Sequence, residues 1–563
     1  MPRLPANEFS FLFGYDPRYW RGLRKHGLVD QHAGVRLIQC CHTPRFRCFN
    51  QFAAPGSLLH QEVWEARRPL LIDRGCGGIA YESYPFDTGL LDRYARRLGD
   101  RFLGVQFHEW ASNTGTDWRR VSRAVPRGER VTLPALQEHF DGRSVEGSLE
   151  AGDPRDYVGR RFPETPREFA RECQRYQQRK LADFGGYLTC VPSMGMAYAE
   201  TLRWGARVVM PEHGHHIPMG RVHTAAARGA VRQAGHGQFG SYYAPWGNRP
   251  DSVTRYLPFT LWYTPPELLC GDAFRHGGNG GSSRAFQRRL FWWAYLTGAR
   301  YLAEEWGPEN TFYDWESFDL TPYGEVVRDF LRFVKQTGRG EPIIPAAVVI
   351  DKDWFGLDAY LLAGGERRLH FYEPTPHELA VAAFFRALTG YQPSPPNDSA
   401  HVLSASAMPD AFDVVTDAAS PYLLRQYRVL CYVGEHAGRF KRGLGDYAGK
   451  LIFMGDPVAA AQSLTEATRE EMPARVEGRV HWLLDRKPDR WQLAAFNPHG
   501  VTLDFLEGER CDPAAATPVT ISAPGVGKAR SVSSWPESTR VDRGRADQLE
   551  ATVGPGGVIV LEW

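Results

Sequence analysis

The stretch that decides the fold is ARYLAEEWG (299–307), followed by LTPYGEVVRDFLRFVKQTG (320–338). The first segment is a short apolar run that ends in two carboxylates, which is typical of a buried strand. In the second, Thr321 and Pro322 form an N-cap and N1 pair, apolar residues recur at helical spacing, and Gly338 ends the pattern. A strand that leads into such a helix is the repeating unit of proteins with a parallel sheet.

The same unit recurs from Phe9 to about Asp353, where short apolar runs alternate with helical patterns. Predicted strands lie at 9–14, 77–84, 102–110, 186–194, 206–214, 238–247, 299–307 and 345–351. The run VRLIQCC (35–41) is either a further barrel strand or an inserted hairpin. About eight strand–helix units predict an α/β fold, a (β/α)8 TIM barrel with long insertions.

Two further units are predicted beyond a turn-rich connector at 391–396. A small doubly wound α/β domain of the flavodoxin-like kind is indicated by parallel-strand patterns at 412–418, 427–435 and 450–456. From about Arg479 the pattern changes to short alternating segments, which indicates a C-terminal antiparallel β-sandwich. The expected domains are a catalytic barrel at 1–375, the flavodoxin-like domain at 376–475 and the sandwich at 476–563.

Composition limits the classes of function that the chain can have. Its 563 residues include 67 Lys and Arg against 65 Asp and Glu, so no global field favours nucleic acid or an anionic membrane. No apolar run approaches the ~18 residues of a membrane span, and the N-terminus lacks the pattern of a secretory signal. Nine cysteines without a CxxC pair indicate reduced thiols. We expect a cytoplasmic protein, or an exported one whose signal peptide has been removed, and no cofactor.

Three predicted strands end in glutamate, and these residues are the candidate catalytic groups: Glu109, Glu212, and the pair Glu304 and Glu305. Side chains at the carboxyl ends of TIM-barrel strands face the pocket, although a single such glutamate is equally well explained as a salt-bridged strand end. Glycoside hydrolysis requires two carboxylates across a pocket, one to donate a proton and one to attack or to activate water. Neighbouring residues of a strand point to opposite faces, so Glu305 faces inward if Tyr301 and Ala303 do.

The candidate substrate-binding residues lie beside these glutamates. An aromatic content of 13% favours sugar rings as ligands, since their C–H faces stack on aromatic planes, but core packing explains most of it. The aromatic residues that lie at predicted strand ends are Trp110, Tyr242, Tyr243, Trp246 and Trp306, and the neighbouring His108 is added to them. The segment EHGHH (212–216) adds His213, His215 and His216. Three roles are open for these histidines: contact with sugar hydroxyls, packing in the core, or binding of a divalent metal together with Glu212. Their spacing matches no common zinc motif, so we expect substrate contact and no metal.

The three-part layout resembles the retaining TIM-barrel glycoside hydrolases, in particular the β-galactosidases whose middle domain mediates trimerisation. GARYLAEEWG (298–307) and SFDLTPYGEVVRDFLRFVKQTGRGEPIIPAAVVIDKDWFG (317–356) are similar to the last barrel units of such enzymes. The middle domain of those enzymes is similar to FDVV (412–415), YRVLCYVGE (427–435) and LIFMGD (451–456). The resemblance implies a glycosidase that acts on an oligo- or polysaccharide by a retaining mechanism, and a homo-oligomer, a trimer by analogy.

One departure from that family bears on the catalytic residues. The family carries its acid/base as the Glu of an Asn-Glu pair ending strand four and its nucleophile on strand seven. If the run at 35–41 is not a barrel strand, Glu305 ends strand seven but the nearest match, His108-Glu109, ends strand three. If the run at 35–41 is a barrel strand, Glu109 ends strand four and Glu305 ends strand eight. The family pattern is then not met at both positions, and Glu212 becomes the alternative second carboxylate. A metal-dependent hydrolase or lyase using the 213–216 histidines and a non-catalytic carbohydrate-binding barrel stay open as alternatives.

Overall fold

The computed structural model describes residues 8–38, 53–73, 87–108, 110–139, 156–192, 195–215, 217–245, 282–305, 307–352, 359–364, 374–393, 400–504 and 508–563. All structural statements below concern these residues, and the strand predicted at 77–84 lies outside them. No helix in these ranges has both the length and the hydropathy that crossing a membrane requires.

Nine strands form one parallel sheet that closes into a barrel. They are β1 (Ser10–Gly14), β2 (Ala33–Ile38), β3 (Leu70–Asp73), β4 (Phe102–His108), β5 (Leu188–Val191), β6 (Val208–Val209), β7 (Glu212–His213), β8 (Gln238–Tyr243) and β9 (Tyr301–Glu304). The order is β6-β5-β4-β3-β2-β1-β9-β8-β7, and a second pairing of β6 with β8 closes the ring. Since β6 and β7 both pair with β8 and are separated only by Met210 and Pro211, they form one stave. The eight staves confirm the predicted TIM barrel.

The structure resolves one open strand assignment and differs from the prediction at two places. The run from Val35 belongs to β2 and is a barrel strand rather than an inserted hairpin. Strand β3 was not predicted, because its four residues follow Arg67, Arg68 and Pro69 and form too short an apolar run to stand out. The assignment of 345–351 to the barrel is wrong, since that strand pairs within a second sheet. Counted on the observed staves, Glu109 follows strand four and Glu305 follows strand eight.

Helices surround the barrel, and the one that follows β9 begins where its sequence signals predicted. They run over Pro17–Lys25, Thr88–Leu98, Trp110–Ala124, Leu133–His139, Pro166–Asp183, Tyr198–Arg203, Gly220–Ala234, Arg284–Leu296, Gly307–Asn310 and Pro322–Thr337, with a π-helical turn at His60–Glu65. The Thr321 hydroxyl accepts a hydrogen bond from the Gly324 amide at 3.0 Å, which confirms the predicted N-cap. Gly338, with φ of +65°, ends the same helix as expected.

Side chains alternate between the inside and the outside of the barrel wall. The inside is filled by an apolar cluster of Leu12, Leu71, Leu103, Val191, Val208, Met210, Tyr242, Tyr301 and Ala303. The residues next to them in sequence, such as Leu302 and Tyr243, belong to the larger core between the strands and the helices. This two-residue period decides which strand-end residues reach the interior.

The second unit is a four-stranded parallel sheet with helices on both faces. Its strands are β11 (Ala346–Ile350), β12 (Phe412–Thr416), β13 (Val429–Tyr432) and β14 (Lys450–Phe453), in the order β12-β11-β13-β14. Short helices Pro421–Leu424 and Ala437–Leu444 pack on one face, and Pro376–Thr389 and Pro457–Glu470 on the other; a further turn of helix spans Ala359–Leu362. The doubly wound prediction is confirmed, and the membership of β11 favours a domain boundary earlier than residue 375.

The third unit is an antiparallel β-sandwich, as predicted. One sheet contains β10 (Glu341–Pro342), β16 (His481–Arg486), β17 (Trp491–Phe496), β24 (Val558–Glu562) and β21 (Arg530–Trp535). The other contains β15 (Arg475–Glu477), β20 (Thr517–Ser522), β23 (Gln548–Val553) and β22 (Arg540–Arg545). A separate hairpin joins β18 (Val501–Asp504) to β19 (Gly508–Cys511). The sandwich core lies between the two sheets and includes Trp482, Leu493, Ile521 and Leu561.

A buried carboxylate joins the three units. Asp410, which precedes β12, accepts hydrogen bonds from Arg221 and, at 2.8 Å, from the indole of Trp293, both on barrel helices. His481 of the sandwich lies 2.9 Å from the same carboxylate. Burial alone would raise the pKa of Asp410, but Arg221 and His481 hold it below its usual value. The barrel is therefore held against the other two units by an ionised, fully bonded group.

Candidate active site

A buried polar layer crosses the barrel interior near the carboxyl ends of the strands. Arg36 of β2 donates to the Asp73 carboxylate at the end of β3 over 2.7 Å, and both side chains are almost fully buried. The hydroxyl of Tyr242, on β8, donates to the same carboxylate oxygen at 3.3 Å. The Arg36 guanidinium lies 5.3 Å from the centre of the Tyr242 ring. These three groups form a charged platform inside an otherwise apolar barrel.

Arg36 also fixes the strand end that carries two of the candidate glutamates. Its guanidinium donates to the backbone carbonyl of Glu304 and, at 2.7 Å, to that of Glu305. Tyr301 and Ala303 lie in the interior cluster, so the alternation along β9 directs Glu305 inward. The Glu305 amide donates to the Tyr243 carbonyl at 2.9 Å, which extends the pairing of β8 and β9 to this residue.

Glu304 lies on the other side of the same strand. Its carboxylate is 2% exposed and accepts a long hydrogen bond of 3.5 Å from Gln287 on the helix Arg284–Leu296. A Cβ atom at Gly307 would lie 3.2 Å from a Glu304 carboxylate oxygen, a tight contact that favours glycine there. Glu304 is thus placed between the barrel wall and its helices, whereas Glu305 faces the interior.

Glu212 reaches the interior from the neighbouring stave. Val208 and Met210 belong to the interior cluster, and Glu212 continues their alternation. It is paired in register with Tyr242 and is 2% exposed. Burial and the charge of Glu212 raise the pKa of Tyr198 well above its usual value, which shows that Glu212 also lies near that phenol.

The electrostatics of Tyr242 bring the two inward glutamates together. Burial raises the pKa of Tyr242 well above its usual value, Arg36 opposes this, and Asp73, Glu305 and Glu212 raise it further. Conversely, burial alone would lower the pKa of Arg36, but Tyr242, Asp73 and Glu305 raise it. Glu212 and Glu305, on the two staves on either side of β8, therefore both lie near enough to Tyr242 to raise its pKa.

The histidines of the 212–216 segment that the structure describes pack within the protein. His213 is fully buried, with Nδ1 2.9 Å from the Ser241 hydroxyl and Nε2 3.2 Å from the Thr224 hydroxyl. Burial and the nearby His223 lower the pKa of His213 to about 3, so its imidazole is neutral. The His215 ring meets the ring of His401 edge-on, with centroids 4.9 Å apart.

The remaining predicted residues divide into two groups. Tyr243 is 0% exposed and its ring packs edge-on against Phe291, so it lies in the outer wall while Tyr242 lies inside. For His108, which ends β4, and Trp110, which begins the helix Trp110–Ala124, the structure describes the backbone alone. Outside the described residues lie Glu109, His216, Trp246 and Trp306.

Two central residues of the layer were missed by sequence reasoning. Arg36 and Asp73 are charged residues inside the short apolar runs of β2 and β3, and 37 positions separate them in sequence. The signal that could have found them is a charge at an inward-facing position of a barrel strand, which is costly unless it is paired. Among the residues that the structure describes, no group of three or more His, Cys, Asp or Glu is arranged to hold a metal.

Comparison with known proteins finds similarity in solved structures alone. No protein-family model matches the chain, and neither does any curated protein. A β-galactosidase from Bacillus circulans sp. alkalophilus is similar over 100% of both chains, with 11% identity and a TM-score of 0.49. A GH42 β-galactosidase from G. stearothermophilus covers 100% of this chain and 99% of its own, at 9% identity and a TM-score of 0.49.

A third similar structure is the α-L-fucosidase isoenzyme 2 from Paenibacillus thiaminolyticus, with 99% of both chains covered, 9% identity and a TM-score of 0.43. The TIM-barrel assignment rests on the closed parallel sheet of the chain itself. At these identities and scores the similarity says nothing about the substrate or the activity of this chain.

Proposed function

We propose that this chain is a glycoside hydrolase that cleaves a glycosidic bond of an oligo- or polysaccharide with two inward-facing glutamates. The observation that carries the proposal is the pair Glu212 and Glu305, which strand alternation directs into the barrel on the two staves beside β8 and which both raise the pKa of Tyr242. Two carboxylates near one another at the carboxyl end of a TIM barrel are the arrangement that this chemistry uses.

Glu305 is the candidate for the ionised carboxylate. It raises the pKa of Arg36, and by the reciprocity of a Coulomb interaction the Arg36 cation stabilises the Glu305 anion. Arg36 also holds the Glu305 backbone carbonyl, so charge and position are set by one residue. An anion held in place in this way is suited to attack the anomeric carbon or to deprotonate a water.

Glu212 is the candidate for the proton donor. It reaches the interior from the other side of β8, and a carboxyl there that carries a proton can protonate the leaving oxygen. Glu109 is the alternative donor, because it follows the fourth stave in sequence, where the resemblance to the β-galactosidases expects the acid.

The proposed retaining reaction has two steps. Glu212 gives its proton to the glycosidic oxygen while a Glu305 oxygen bonds to the anomeric carbon, and the leaving alcohol departs with that proton. The Glu212 carboxylate then takes a proton from water, whose oxygen displaces Glu305 from the sugar and restores both carboxyl groups. Tyr242 donates to Asp73, which is paired with the Arg36 cation that holds the Glu305 backbone.

The test compares Glu305→Gln, Glu212→Gln and Glu109→Gln on a panel of aryl glycosides, with Glu304→Gln as the matched control. We expect Glu305→Gln to lose turnover by several orders of magnitude on every substrate. The variant of the true acid should lose about 10²–10⁴-fold on poor leaving groups and far less on dinitrophenyl glycosides, which need no protonation. Glu304→Gln should keep activity within a few-fold.

Two outcomes contradict the proposal. Near wild-type turnover of Glu305→Gln would remove that residue from the mechanism. Absence of turnover by the wild-type protein across the whole panel, together with unchanged glycan binding in the variants, would favour the non-catalytic carbohydrate-binding barrel. The anomeric configuration of the first product, read by NMR, separates a retaining from an inverting reaction.

A further inference from the structure

A cavity opens at the opposite end of the barrel from the two glutamates. It has a volume of about 450 Å³ and lies at the amino ends of β1, β2, β3, β4 and β9, where residues 8–10, 30–32, 66–69, 101 and 300–301 line it. Because all the barrel strands are parallel, their amino ends share one rim and their carboxyl ends the other. The cavity is therefore separate from the candidate active site.

The cavity is strongly cationic. Four arginines, Arg67, Arg68, Arg101 and Arg300, line it against two carboxylates, Glu8 and Asp30, which leaves a formal charge of +2. Arg300 is paired with Glu8 at 2.5 Å, and Arg68 with Glu62 at 3.1 Å. The Asp30 carboxylate accepts from the His32 amide at 2.7 Å.

Arg67 and Arg101 provide the excess charge. Within the described ranges neither has a carboxylate at ion-pair distance. Arg67 donates to the carbonyl of Arg97 at 3.2 Å, and Arg101 donates to the carbonyl of Arg67 at 3.1 Å. A guanidinium has five N–H donors, so each keeps most of its donors for a ligand or for water.

The loop that carries these charges is held in a fixed conformation. Arg67 has φ of +53°, a left-handed conformation that L-residues other than glycine rarely adopt. The neighbouring Arg68 side chain donates to the carbonyls of Asp30 and Ala33 and to Glu62, which fastens the loop to two other segments. A strained residue persists where its surroundings determine it, and such residues cluster at ligand sites.

We propose that this cavity binds a small polyanion that carries phosphate or carboxylate groups. Guanidinium groups recognise both kinds of oxyanion through paired hydrogen bonds. The buried side chains of Phe9 and Tyr301 form the apolar part of the cavity wall. The volume lies in the range of small-molecule sites.

The experiment is isothermal titration of the full-length protein at low salt with inorganic pyrophosphate and, separately, with citrate. The wild-type protein should bind one equivalent of at least one of them. Arg67→Gln combined with Arg101→Gln should weaken that binding about tenfold or more, and raised salt should weaken it in the wild type. The control removes the same charge at two exposed arginines of the second unit, Arg439→Gln with Arg442→Gln, and should leave binding unchanged.

The outcomes distinguish the sources of the ligand. Binding of pyrophosphate alone identifies phosphate, binding of citrate alone identifies carboxylate, and binding of both supports the shared chemistry. Since Arg67 adopts a strained conformation, Arg101→Glu alone is a second variant at an exposed position, and it should abolish binding without lowering the melting temperature of the unliganded protein. Binding of neither anion by the wild type, or equal affinity in the arginine variants, would overturn the proposal.

Discussion

Asp485 makes the stability of this protein depend on pH near neutrality. Its carboxyl is 0% exposed in β16, and burial raises its pKa from 3.8 to about 7, although Arg339, the Gly340 backbone and Lys487 oppose the rise. In the unfolded chain the same carboxyl titrates at its ordinary value. Between these two values the folded protein therefore keeps a proton that the unfolded chain has lost.

The sign and the size of the effect follow from this difference. A folded-state pKa above the unfolded one gives stability that is present below pH 3.8 and is lost as the pH rises through about 7. About three pK units at ~1.36 kcal/mol each correspond to about 4 kcal/mol in total, of which about 3 kcal/mol is lost between about pH 5 and 8.

The substitution Asp485→Asn keeps the size of the side chain and removes its titration. We expect the free energy of unfolding of the wild type to fall by about 3 kcal/mol more than that of the variant between about pH 5 and 8. Urea unfolding at both pH values, followed by tryptophan fluorescence, measures this difference, and other titrating groups cancel because both proteins share them. Parallel pH profiles for the two proteins would refute the reasoning.

Two further predictions concern packing around the barrel. Arg36→Met leaves Asp73 buried without its cation and should lower the free energy of unfolding by about 3–5 kcal/mol, and adding Asp73→Asn should recover part of that loss; chemical denaturation of both variants checks this, and an additive double variant would contradict it. Gly229→Ala should cost about 1–3 kcal/mol, because its new Cβ would lie 2.2 Å from the Val414 carbonyl oxygen of β12. Gly443→Ala, on a helix where nothing lies within 4 Å, is the control, and equal melting temperatures for the two variants would contradict the close contact.

Local signals were enough to predict some elements of the fold, such as the helix Pro322–Thr337. The N-cap at Thr321 and the C-terminal Gly338 act through groups within a few residues of each other, so the sequence contains all of the information. The closed barrel followed from counting strand–helix units. Some of the strands that were counted were the wrong ones, because a strand of four residues such as β3 is too short to show a clear hydrophobic pattern.

Membership of a sheet depends on distant partners, and sequence patterns do not contain it. The run at 345–351 reads as a buried parallel strand, and that is correct in either sheet. Only its pairing with β12 and β13 places it in the second unit. The same limit applies to Arg36 and Asp73, which form an ion pair only because β2 and β3 lie side by side.

The period of two residues, by contrast, explains most of the candidate site. Glu212 pairs with Tyr242, and Tyr242 pairs with Ala303, so three neighbouring staves are in register at this level. Every inward position there belongs to the polar layer or to the interior cluster, and every following residue, His213, Tyr243 and Glu304, belongs to the wall against the helices.

Adjacent residues of these strands therefore face opposite sides of the barrel wall. Sequence reasoning applied the alternation to Glu304 and Glu305 alone and treated EHGHH and YY as undivided motifs. Applied to all three staves, it separates Glu212 from His213 and Tyr242 from Tyr243 in the same way. The outer residue of each pair is buried against the helices, whereas the inner residue lies inside the barrel. Each of these pairs of adjacent residues therefore contributes one residue to the wall against the helices and one to the candidate site inside the barrel.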